Sequence, residues 1–133
     1  MSRDTVRSDA APAAIGPYSQ AVRTPGGLLF LAGQTPIDPA TGRLIDGDVG
    51  EQTRRCFTNL RGARCGGAGP EHVQKVNVYL TDMTDFAAIN EAYAEQFAAP
   101  FPARTTVAVA ALPLGARGDR ARRTRSGGHA LIR

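Results

Sequence analysis

The sequence predicts an α+β domain in which two helices cover one face of a sheet. Three observations predict it. Apolar runs of strand length stand near residues 18–32, 75–80 and 105–112; two longer stretches, after Asp48 and after Thr84, repeat apolar residues at helical spacing; and 133 residues suit one domain, 1–133, with little room for a second. The hydrophobic fraction of 42% is ordinary for a globular chain, which excludes disorder of the whole. A subunit this small buries only about two-thirds of the surface its unfolded chain exposes, so oligomerisation is expected.

The elements follow in order. The segment to Pro17 is rich in Ala, Pro and polar residues and reads as a surface wrap. Tyr18, Gln20 and Val22 alternate with Ser19, Ala21 and Arg23, as in a half-buried strand. After the turn signal Pro25-Gly26-Gly27, the run Leu28–Ala32 fits a strand buried on both faces, and the two form a hairpin. Residues 33–47, punctuated by Gly33, Pro36, Pro39, Gly42 and Gly47, read as loop. Asp48 is an N-cap with Glu51 as its capping-box partner, and Val49, Thr53, Cys56, Phe57 and Leu60 mark the buried face of the helix they open. Beyond Leu60 the glycines at 62, 66, 67 and 69 predict a frayed or early helix end.

Val76, Val78 and Leu80 alternate with Lys75, Asn77 and Tyr79 in a third strand. Thr84 is the expected N-cap of a second helix with Phe86, Ile89, Asn90, Tyr93 and Phe97 inward, ended by Pro100 and Pro102. Thr105–Leu112 is a fourth strand, stopped by Pro113. The tail, residues 115–133, stands where a last strand belongs but does not read as one. Its run from Gly118 to Gly128 lacks apolar alternation and is dense in arginine.

Charge is unevenly placed. Residues 115–133 carry six arginines against one aspartate, a net +5, while residues 1–114 sum to −1. A basic tail attracts phosphate non-specifically. Nucleic acid is not an expected partner, because no aromatic residue lies beyond Phe101 to stack on bases. No apolar run is long enough for a membrane span, and the polar first ten residues do not read as a secretory signal. Cys56 and Cys65 fit no common zinc spacing, His72 and His129 do not cluster with them, and two reduced thiols in a cytoplasmic protein are the expectation; no metal and no cofactor are expected.

No nucleophile elbow, phosphate loop or paired carboxylate motif occurs. The informative residues are few. Arg104, after Phe101-Pro102-Ala103, opens a strand where its planar fork can meet a ligand carboxylate; a surface or salt-bridge arginine is the alternative. Asn90, a polar residue on an apolar helix face, needs a partner, which a core backbone group also satisfies. Tyr18, beside Gly16-Pro17, sits at a boundary or in the core.

An ordered set of segments resembles the Rid family (YjgF-like, formerly L-PSP endoribonuclease). They are Ala14-Ile15-Gly16-Pro17-Tyr18-Ser19-Gln20-Ala21, Leu31-Ala32-Gly33-Gln34-Thr35-Pro36, Asp38-Pro39-Ala40-Thr41-Gly42, Glu51-Gln52-Thr53, Val76–Met83 and Phe101-Pro102-Ala103-Arg104. The resemblance implies a chorismate-mutase-like mixed sheet, a homotrimer with ligand sites between subunits, and hydrolysis of 2-imino and enamine acids such as 2-iminobutanoate and 2-iminopropanoate to 2-oxo acids and ammonia, with no cofactor. It implies that Arg104 holds the substrate carboxylate, that Tyr18 and Asn90 contact substrate, and that backbone groups near Gly33 and Thr106 line the pocket. The family's water-orienting glutamate falls, counted without a gap, on Asp119, and Thr106 stands where many deaminases carry cysteine. A non-catalytic binder of small carboxylates and an RNA-directed endoribonuclease or translation inhibitor remain the alternatives.

Overall fold

The computed structural model describes residues 2–64 and 69–113 in full and the backbone of residues 126–132. Eight strands and two helices follow in the order β1 (Asp4–Val6), β2 (Ala21–Arg23), β3 (Leu29–Leu31), β4 (Ile37–Asp38), β5 (Arg43–Leu44), α1 (Val49–Ala63), β6 (Val73–Leu80), α2 (Phe86–Ala94), β7 (Ala103–Ala108) and β8 (Ser126–Ile132). Six strands form one sheet in the order β1-β2-β3-β8-β6-β7; β4 and β5 form a separate small hairpin. Every pairing in the large sheet is antiparallel except β6 with β7, which are parallel and joined through α2.

The central β8 corrects the sequence reading of the tail. Ser126–Ile132 is a strand, paired with β6 from Ser126↔Leu80 to Ile132↔Val73 and with β3 at Leu131↔Phe30 and Ile132↔Leu29. Gly127 and Gly128 lie inside this strand, paired with Tyr79 and Val78, and α1 lies against β8.

Both helices pack on one face. Leu29, Leu31, Val76, Val78 and Leu80 meet Val49, Phe57 and Leu60 of α1 and Ile89 and Tyr93 of α2 in one buried cluster. Phe57, Tyr93 and Phe97 form its aromatic centre, with ring centroids 5.2–5.6 Å apart. The opposite face is bare. Phe30 is 49% exposed rather than buried on both sides as expected, and Val107 is 41% exposed, so β3 and β7 bury one face only.

α1 begins as its sequence predicts. Asp48 Oδ1 accepts from the Glu51 amide at 2.9 Å, and Glu51 Oε2 accepts from the Asp48 amide at 3.2 Å. Its end differs. The helix continues through Gly62 to Ala63, and a Cβ on Gly62 would collide with the Ala10 carbonyl. The glycine therefore serves a crossing, where the N-terminal segment passes over α1. Gln20, fully inside, ties down that segment. Its Nε2 donates to the carbonyls of Ser8 (3.0 Å) and Pro12 (2.8 Å), and its Oε1 accepts from the Ser8 amide at 2.7 Å. Asn59 does the same for the long loop. From the buried face of α1 its Nδ2 donates to the carbonyls of Thr35 (3.1 Å) and Ile37 (2.8 Å).

Three further readings shift. The strand expected from Tyr18 begins at Ala21, because Gly16-Pro17 turns the chain and the Tyr18 amide bonds back to the Gly16 carbonyl at 2.8 Å. Thr84 does not cap α2: it lies inside a 3-10 segment, Met83–Asp85, capped by Asp82, whose carboxylate accepts from both the amide and the hydroxyl of Thr84, and α2 follows with Asp85 at its N-cap. The strand expected over 105–112 starts at Ala103 and ends at Ala108.

Gly62→Ala should destabilise the fold by about 1–3 kcal/mol through overpacking. Asn59→Ala, which strands two carbonyls, should cost about 2–3 kcal/mol. Urea titration followed by circular dichroism measures both; unchanged midpoints would show that neither segment is held as described.

Candidate functional site

The site is built where β7 passes beside α2. Pro102 keeps its predecessor out of helical conformation, and β-branched Thr105, Thr106 and Val107 favour extension, so Arg104 stands near the start of an edge strand. Arg104 is paired with the buried Val76, which turns its side chain to the helix-covered face. Thr106, paired with Val78, shares that face, while Thr105 points the other way and its hydroxyl meets Lys75 Nζ at 2.6 Å.

Three residues of α2 receive the arginine. Arg104 Nη1 donates to Asn90 Oδ1 at 2.7 Å. The guanidinium carbon lies 4.8 Å from the Tyr93 ring centroid and 5.7 Å from that of Phe86, both within cation–π range. Phe86, Asn90 and Tyr93 fall at i, i+4 and i+7, a single helix face. All three are uncharged. Burial pushes the Tyr93 hydroxyl above its ordinary value, against a smaller downward pull from Arg104, so Tyr93 stays neutral. No ion pair involves Arg104 among the described residues. A half-buried guanidinium has five N–H donors, and one neutral acceptor uses Nη1 only. The remainder suits a planar anion, above all a carboxylate gripped by two parallel bonds.

Two hydroxyls close by are buried without a hydrogen-bond partner, Tyr93 Oη and Thr106 Oγ1. Such groups are costly to leave unmet, each worth about 1–3 kcal/mol. Cys56 offers no nucleophile, since burial pushes its thiol up to about 12. No group of three or more His, Cys, Asp or Glu is placed to hold a metal among the described residues.

The expected site residues divide into three sets. Arg104, Asn90 and Thr106 come together. Asn90 is placed as a holder of Arg104, through its amide oxygen. Tyr18 and Gly33 do not join them within one chain. Tyr18 precedes β2, four strand steps from β7, or roughly 19 Å at about 4.8 Å each; Gly33 follows β3, three steps away, roughly 14 Å. Tyr18 is instead 48% exposed, accepts from the Ile15 amide at 3.2 Å, and lines an open depression with Arg7, Asp9 and Ser19. Asp119 lies outside the described residues. Phe86 and Tyr93, read from sequence as core positions only, also lie against Arg104 in the candidate site. Their signal was the spacing to Asn90 on one helix face.

The sequence model of the family described as endoribonuclease L-PSP matches residues 8–117. The chain belongs to this family, the Rid family. Among its Rid relatives, protein DfrA of Myxococcus xanthus is 46% identical over 119 residues, covering 88% of this chain and 91% of that one. A Capra hircus protein named 2-iminobutanoate/2-iminopropanoate deaminase is 41% identical over 118 residues, covering 88% and 85%. The crystal structure of RidA from a Psychrobacter species superposes with a TM-score of 0.85 at 35% identity over 98% of each chain. The Rid fold is thus shared along nearly the whole length, and no helix among the described residues is long and apolar enough to cross a membrane.

Asn90→Asp tests the neutrality of the Rid site. The hydrogen bond to Arg104 is retained and strengthened by charge, so the thermal midpoint should hold or rise. Affinity for a small carboxylate such as 2-oxobutanoate should fall at least tenfold, about 1.4 kcal/mol, because the guanidinium charge is now answered within the protein. Calorimetry reads the affinity; an unchanged value would mean that Arg104 is not the anion's partner.

Proposed function

We propose that this protein hydrolyses 2-imino and enamine acids, such as 2-iminobutanoate and 2-iminopropanoate, to 2-oxo acids and ammonia. The observation that carries the proposal is an Arg104 fork held, among the described residues, by neutral groups. A relative of 41% identity named for this reaction supports it.

The chemistry asks little of the protein beyond placement. A protonated imine is already electrophilic at C2. Arg104 grips the adjacent carboxylate and fixes C2 relative to a water molecule. Water adds to C2 as the C=N π pair moves to nitrogen, and one proton of the added water passes to that nitrogen. The resulting carbinolamine, now an ammonium at nitrogen, loses its remaining O–H proton to solvent as the C–N bond breaks and its electron pair leaves with ammonia. The 2-oxo acid and ammonia leave. Asp119 takes the part of the water-orienting carboxylate, and Thr106 lines the pocket beside Arg104. No step requires a redox cofactor.

The working unit in this proposal is a homotrimer with each site shared by two subunits. Two observations favour it: the separation of Tyr18 and Gly33 from Arg104 across the sheet, and the bare apolar face that carries Phe30 and Val107. A neighbouring copy brings Tyr18 and Gly33 to the Arg104 of the first. The family's older name points to RNA, but residues 1–114 sum to −1, which suits a small-molecule site better than a polyanion groove.

Imine released by a threonine dehydratase should decay faster in the presence of the protein, and Arg104→Ala should remove at least 99% of that acceleration, about 2.7 kcal/mol. Equal activity in Arg104→Ala would refute the reading, whereas Arg104-dependent binding of 2-oxobutanoate without turnover would select the non-catalytic binder. The shared site has its own test. Arg104→Ala and Tyr18→Ala, each inactive alone, should regain about a quarter of the parental sites when co-expressed; no recovery, or a monomer by light scattering, counts against it.

A further inference from the structure

The reading of Arg104 as a carboxylate grip raises a further question, which rests on that reading: what holds the guanidinium still. Arginine side chains are long and flexible, and an untethered one presents many orientations to a ligand. The usual tether is an acidic partner, but a carboxylate neutralises the charge it fixes. Here the tether among the described residues is an amide oxygen, and one hydrogen bond leaves a guanidinium able to swing about it.

We propose that Tyr93 is a positioning residue for Arg104: its ring, with that of Phe86 seven residues earlier, sets the plane of the guanidinium without spending its charge. Seven helical residues rise about 10.5 Å, which leaves room for one guanidinium between two side chains on the same face. The two ring distances, 4.8 Å and 5.7 Å, fit that placement. Tyr93 itself is fixed. It is 5% exposed, and its ring meets Phe57 at 5.5 Å, nearly edge-on at 72°, and Phe97 at 5.2 Å. The core therefore decides the orientation of the Tyr93 ring, and the ring passes that orientation to the arginine. The working part is the ring and not the hydroxyl, which is buried without a hydrogen-bond partner. The device preserves affinity for a planar monoanion and sets the angle at which its carboxylate is received.

Calorimetry with 2-oxobutanoate, thermal midpoints and the nitrogen–proton spectrum of the arginine side chains test the proposal on the full chain. In the parent, the Arg104 Nε–H signal, assigned by its loss in Arg104→Ala, should be shifted upfield by the ring currents. Tyr93→Phe should keep that shift and bind within twofold of the parent. Tyr93→Leu should lose the shift and weaken binding at least tenfold while remaining folded. Should Tyr93→Leu not fold, Phe86→Leu, at a less buried position, should weaken binding at least threefold and reduce the shift. A folded Tyr93→Leu that binds like the parent while Arg104→Ala does not would overturn the positioning role and leave the carboxylate grip standing. Equal losses in Tyr93→Phe and Tyr93→Leu would overturn the assignment to the ring. Undiminished binding in Arg104→Ala would remove the grip, and the positioning role with it.

Discussion

The pairing of β8 with β6 is the interaction on which the architecture depends. β1, β2 and β3 form one antiparallel group, and β6 and β7 form a parallel pair; β8 alone joins them. Its bonds to β6 run from Val73 to Leu80, and its bonds to β3 reach Leu29 and Phe30. These contacts link residues far apart in sequence, so their loop-closure entropy must be met by the burial of Leu29, Leu31, Val76 and Val78 beneath the helices. The sheet is thus continuous only when the strand farthest along the chain lies at its middle.

That frame explains how the site arises. With β6 fixed in the interior, the parallel crossover through α2 places β7 at an edge, beside the helix that preceded it. An arginine at such an edge has a protein wall on one side and open space on the other. The wall comes from α2, whose Phe86, Asn90 and Tyr93 repeat at a spacing that a strand passing alongside can meet. The same helix face continues into the aromatic core, so Tyr93 packs on Phe57 with one part of its surroundings and on the Arg104 guanidinium with another.

Much of this was legible in the sequence where the determinants were local. The capping box of Asp48 and Glu51 declares itself within four residues, and β6 shows clean alternation over the six from Lys75 to Leu80. Arg104 was a candidate by its place at the edge of an apolar segment, but only the ordered family segments set it apart from a surface or salt-bridge arginine. What escaped depended on contacts remote in sequence. Gly62 looked like a helix breaker because the Ala10 backbone that crosses it lies more than fifty residues earlier. The strands β1, β4 and β5 are two or three residues long and carry no period to read. β8 was hidden by its glycines and by the arginines before it, since composition records propensity and not the partner strands that impose extension. Phe86 and Tyr93 passed for ordinary core because an inward aromatic looks the same whether it faces leucine or a guanidinium.

The neutral setting of Arg104 has a consequence for how the protein meets acid and base. The Asn90 amide and the Phe86 ring carry no titrating proton, and burial pushes the Tyr93 hydroxyl above its ordinary value. Among the described contacts of Arg104 there is no histidine or carboxylate whose titration would loosen the grip. If the proposed reaction holds, the response to acid and base falls on the small molecule, whose nitrogen gains or loses its own proton, rather than on the groups that hold Arg104.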